Sequence, residues 1–170
     1  MRLRSCHERP NFRTAKVGQT RTNSAGRRTK NGYHLIEKFD QRKIDVFGFT
    51  SYPRFATPAD IPADYYRPIT QRTGDVPIAF TEIGWETTPG DTGAEDRQAE
   101  FLLWFLRETK GIKLEMVVWP FLHDLAPPDK KSPRSSNCGL IGYYGQPKPA
   151  WRVWQTLASL PLTQQPPNPT

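Results

Sequence analysis

The stretch VPIAFTEIGWETTPG, residues 76–90, decides how this chain is read. Val76-Pro77-Ile78-Ala79-Phe80 is a short apolar run of the kind that fills a buried strand. It leads straight into a carboxylate, Glu82, and then an indole, Trp85. An acid at the tip of a buried strand is held rigidly, at the mouth of whatever the sheet builds. Two other runs share this character. Ile44-Asp-Val-Phe-Gly-Phe49 is β-branched and aromatic and is stopped by Pro53; Leu114-Glu-Met-Val-Val-Trp119 is halted by Pro120.

Helical patterns separate the strands. Tyr33 to Phe39 reads as a short helix, and residues 63–74 as another that ends near Gly74. Thr92-Gly-Ala-Glu95 has the spacing of a capping box. The helix it opens turns Phe101, Leu102, Phe105 and Leu106 to one face and stops by Gly111. Residues 149–160, PAWRVWQTLASL, form a last helix with proline in its first turn. Strands that are apolar throughout and alternate with helices predict right-handed βαβ units around a parallel sheet. Chemistry in such sheets collects at the carboxyl ends of the strands. All three strands end there in polar or aromatic residues: Ser51-Tyr52, Thr81-Glu82 and Trp119.

Composition bounds the function. The chain has 170 residues, 36% of them hydrophobic, and its net charge is +7. That charge is unevenly placed. Residues 1–30 hold nine Lys or Arg and one acid, a net +8, so the remainder is close to neutral at −1. A segment this poor in apolar residues predicts a disordered basic leader over 1–32. An organellar transit peptide has a similar bias, as does a misassigned start. A nucleic-acid arm would interleave aromatics with its charges, and none are there, so nucleic acid is not the expected partner. No apolar run approaches the roughly 18–20 residues that cross a bilayer, and no signal peptide is recognisable, so localisation stays open. Two Cys and three His without metal-ligand spacing predict neither a disulfide framework nor a structural zinc, and no cofactor is expected. The domain expected is 33–160, with 161–170 a frayed tail.

The stretches DVFGFTSYP, PIAFTEIGW, VVWPFLHD and GLIGYYGQPKPAW together resemble strands six, seven and eight of the retaining glycoside hydrolases built on (β/α)8 barrels. The resemblance covers about residues 40–160 and implies a partial TIM barrel of about three parallel strands with flanking helices. It maps the nucleophilic glutamate onto Glu82 and a tyrosine that contacts the nucleophile onto Tyr52. Trp119 falls where an aromatic floors the sugar subsite. The phrase from Gly139 to Ala150 is frequent after strand eight in these enzymes. The implied substrate is a β-linked oligo- or polysaccharide.

Chemistry supports these residue types independently. A retaining glycosidase uses one carboxylate as nucleophile and a second carboxylic acid as proton donor, about 5–5.5 Å apart. A tyrosine hydroxyl hydrogen-bonded to the nucleophile favours its ionised form. Indoles such as Trp119 and Trp85 offer flat apolar surface to the C–H faces of a pyranose, and His123 can hydrogen-bond a sugar. Each residue also has a plainer reading. Glu82 could be a solvated strand end, Tyr52 and Trp85 core or rim, and His123-Asp124 a loop pair. Trp104, Trp151 and Trp154 lie on predicted helices as packing residues; Glu86 and Glu115 read as solvent-facing or structural.

One part is missing. The proton donor of these barrels is a glutamate on strand four, usually after asparagine, and the chain has no Asn-Glu pair. Strands one to five have no counterpart. The expectation is therefore the C-terminal part of a barrel enzyme, weakly active or inactive alone, or else a carbohydrate-binding remnant without catalysis. Open sheet edges would invite self-association.

Overall fold

A computed structural model describes residues 14–17, 32–129 and 134–159. Its centre is a parallel sheet of four strands in chain order: β1 (Thr14–Val17), β2 (Val46–Ser51), β3 (Ile78–Ile83) and β4 (Leu114–Val117). Helices α1 (Arg67–Thr73), α2 (Ala94–Glu108) and α3 (Pro149–Ala158) follow β2, β3 and β4 respectively. This is the α/β alternation the apolar runs predict. Every residue of β2 is buried, as a strand covered on both faces requires.

The core lies between the sheet and the helices and is largely aromatic. Phe80 of β3 meets Tyr66 and Phe105 with ring centroids 5.0 Å away in each case, both edge to face. Phe101 on α2 stacks on Trp104 at 5.9 Å. Such pairs add about 0.5–1.5 kcal/mol each beyond the area they bury. Tyr66 needs a polar partner inside this cluster and shares a 2.9 Å hydrogen bond with the Ser51 hydroxyl at the end of β2.

Four details differ from the sequence reading. The segment expected as a leader contains β1, which pairs with β2 from Thr14↔Val46 to Val17↔Phe49, so the sheet has four strands rather than three. Four residues between basic flanks are too short to show a strand period. The rest of 1–31 lies outside the described residues, as do residue 160 and the expected tail over 161–170. The first helix, Gly32–Lys38, is 3₁₀ rather than α. The capping box does not form. Gly93 caps α2 in a left-handed conformation at φ 83°, and no side chain caps the helix. Finally, β3 runs on to Ile83, which places Glu82 inside the strand instead of beyond it.

Candidate active site

The carboxyl ends of β2, β3 and β4 lie side by side, and three sequence-predicted residues sit on them. Glu82 is opposite Thr50 in the β2–β3 register, just past a bulge between Phe49 and Thr50. Bulges recur beside active sites because the extra residue re-aims the side chains that follow. The tip of β3 is fixed from both sides: Ile83 N–H donates to Val118 O at 2.9 Å, and Gly84 N–H to Ser51 O at 3.3 Å. The Glu82 backbone is therefore held by the central part of the sheet.

Tyr52 directly follows β2 and donates from its hydroxyl to Glu82 Oε2 at 3.3 Å. Both side chains are half-buried. Burial, and next the charge of Glu82, raise the Tyr52 phenol well above its ordinary range, so it remains a donor. Gly84 makes the contact possible. A Cβ there would come within 2.6 Å of Tyr52 Cε1, so the ring could not lie as it does over any larger residue. Glu86, half-buried two residues further on, also contributes charge that raises both Tyr52 and Cys138.

The two indoles are packed more closely than open platforms. Trp119 is 8% exposed; its Nε1–H donates to Cys138 O at 2.7 Å, and its ring lies 6.3 Å from both Phe101 and Trp154. Trp85 is buried and stacks on Phe101 at 5.3 Å. His123 is exposed and bridges to Ile141 through the backbone. The structure thus brings Tyr52 and Glu82 together and packs both Trp85 and Trp119 on Phe101.

Three positions escaped the sequence reading: Gly84, Gln98 and Lys148. Gln98 sits in the apolar stripe of α2, fully buried, and its side-chain amide donates to Trp85 O (3.0 Å) and Gly139 O (3.2 Å). A polar residue three before Phe101 on a buried stripe was the available signal. Lys148 is buried and donates from Nζ to Asp124 Oδ1 at 2.8 Å and Thr87 Oγ1 at 3.1 Å. Asp124 accepts from Gly139 N–H at 2.8 Å as well. Together these bonds clasp the loop after β3 to the loop after β4. In the sequence, Lys148 between two prolines looks like a solvated surface residue.

A cavity of about 360 Å³ opens at the start of α2, lined among others by Thr87, Asp91, Glu95, Asp124 and Gln146. Tyr52, Glu82 and Trp119 do not line it. Among the described residues, no group of three or more His, Cys, Asp or Glu could hold a metal ion, and no helix is long and apolar enough to cross a membrane.

Four parallel strands, the last three each followed by an α-helix, are similar in fold to part of the TIM-barrel glycoside hydrolases. Among solved structures, Ruminococcus gnavus β-glucuronidase matches 71% of this chain over 23% of its own, at 17% identity and a TM-score of 0.55. The same enzyme in complex with D-glucuronic acid matches at a TM-score of 0.54. The glycoside hydrolase family 17 β-1,3-glucanosyltransferase of Rhizomucor miehei matches 69% of this chain over 46% of its own, at 16% identity and 0.50. The chain therefore spans under a quarter of the first enzyme and under half of the second. No family model matches the sequence, and no curated protein does.

Proposed function

We propose that Glu82 is the nucleophile of a retaining glycoside hydrolase site acting on β-linked oligo- or polysaccharide. One observation carries the reading: Tyr52 donates to Glu82 Oε2 at the carboxyl ends of adjacent parallel strands. In double displacement a Glu82 carboxylate oxygen attacks the anomeric carbon as the bond to the leaving oxygen breaks, giving a glycosyl-enzyme that water then hydrolyses. Tyr52 orients the attacking carboxylate and holds its charge. Trp119 and Trp85, both buried and packed on Phe101, serve the sugar subsite, and His123 hydrogen-bonds a more distant part of the sugar.

The departing oxygen also needs a proton from a second carboxylic acid. Our reading assigns that donor to residues beyond β2–β4, so the isolated chain turns over ordinary glycosides weakly or not at all. Fluorinated deoxyglycosides with a dinitrophenol leaving group need no proton donor and trap the glycosyl-enzyme. Incubation with β-gluco and β-glucurono forms, followed by mass spectrometry, should show one adduct on Glu82 and none in Glu82→Gln. No adduct, or one that persists in Glu82→Gln, overturns the assignment. Sugar binding that depends on Trp119 without any adduct points instead to a non-catalytic carbohydrate-binding remnant.

A further inference from the structure

We propose that the cavity of about 360 Å³ at the start of α2 is a second binding site, and that its ligand is a neutral polyhydroxy compound the size of one sugar unit. The inference rests on this cavity and not on the role of Glu82, which does not line it. Clefts that take small ligands enclose roughly 300–1,000 Å³, and this one is at the small end.

The floor holds a donor without an acceptor. Asn137 lines the cavity and is only 2% exposed, and its side-chain Nδ2 has no hydrogen-bond partner. Buried amides are nearly always paired, because an unpaired one has lost its water and gained nothing in return. The Asn137 backbone is fixed as well: its carbonyl oxygen accepts from Thr87 N–H at 3.0 Å and from Thr87 Oγ1 at 2.7 Å. The residue cannot swing away to find a partner, so an acceptor has to come to it. The start of α2 adds N–H donors that no side chain caps.

The rim has the opposite character. Asp91, Glu95 and Asp96 are exposed carboxylates along it. Asp91 pairs with Arg97, whereas no ion pair among the described residues engages Glu95 or Asp96. These two sets of groups select the ligand. An ammonium ion suits the carboxylates but has no lone pair for Asn137. An anion has lone pairs, but Glu95 and Asp96 repel it. A peptide donates and accepts, yet with one N–H per residue it serves few acceptors in so small a space. A polyol does both at every hydroxyl, giving protons to the carboxylates and a lone pair to Asn137. Tyr143, 46% exposed at the rim, adds ring surface for its C–H groups.

Titrating the ¹⁵N-labelled full chain with methyl β-D-glucopyranoside should shift the Asn137 side-chain amide together with the Glu95 and Asp96 N–H signals, saturating in the millimolar range. The shifts should persist in Glu82→Gln, which separates this site from the proposed nucleophile. Ethanolamine, methyl β-D-glucuronide and N-acetylglycinamide should each bind there about tenfold more weakly. Asn137→Ala, checked for native circular dichroism, should weaken the glucoside about tenfold. Glu95→Gln with Asp96→Asn, both on the exposed rim, should narrow the preference for glucoside over glucuronide about threefold. Signals that do not move or do not saturate, or a control probe that binds as tightly as the glucoside, overturn the proposal. So does a natively folded Asn137→Ala that binds the glucoside unchanged, or a rim variant whose preference stays the same.

Discussion

Gly84 shows how much of the site depends on a side chain that is not there. The Tyr52 ring occupies the space a Cβ would take, and from that position its hydroxyl reaches Glu82. Gly84→Ala should push the ring off, and Tyr52→Phe removes the donor directly. A hydrogen bond to a charged group is worth about 1.5–3 kcal/mol, and 3.3 Å places this one at the weak end. Each substitution is expected to slow labelling of Glu82 about tenfold. The double variant should lose no more than either alone, because both act on one contact. Labelling rates that multiply would separate the two residues and count against the assigned role of Gly84.

At the scale of elements, the loops at the carboxyl ends are joined by a buried ion pair. Lys148 and Asp124 have side chains only 1% and 7% exposed, and Thr87, Asn137 and Gly139 gather around them. Gly139 is confined for a different reason from Gly84: a Cβ there would lie 2.3 Å from the Asp124 backbone nitrogen, which cannot move aside. Lys148→Met leaves the Asp124 carboxylate buried without its cation and is expected to cost about 3–5 kcal/mol in urea unfolding. Adding Asp124→Asn should recover part of that loss, since the amide oxygen can still accept from Gly139. A Lys148→Met protein as stable as the parent would show that the clasp contributes nothing.

Across the whole molecule, burial has a consequence for pH. Cys138 is buried, and burial first, then the charge of Glu86, pushes its thiol up to about 12 from an ordinary 9.0. Tyr66, by burial, and Tyr52, by burial and Glu82, are also raised. A group whose folded pKa is raised keeps its proton while the unfolded chain loses it, so its stabilising effect is complete below the unfolded pKa and fades above it. Denaturant midpoints should therefore hold up to about pH 9 and then fall, with the tyrosines adding to the slope from about pH 10. Cys138→Ala should delay the onset by about one pH unit, and native Cys138 should resist alkylation at neutral pH. A flat profile to about pH 11 would contradict this burial.

The sequence by itself determined the alternation of strands and helices, the parallel sheet and the acid at the carboxyl end of β3. Each of these is written in runs of four to fifteen neighbouring residues, because apolar periodicity and proline or glycine stops act locally. The tertiary structure alone decided the pairing of β1 with β2, the bulge that sets Thr50 against Glu82, and the space at Gly84 that Tyr52 fills. It alone turned Lys148 inward and buried Trp85 and Trp119 in the core. Those outcomes depend on partners up to 61 residues apart in the chain, as between Lys148 and Thr87. Whether a side chain is exposed, paired or packed is settled by its neighbours in space, which no local pattern encodes.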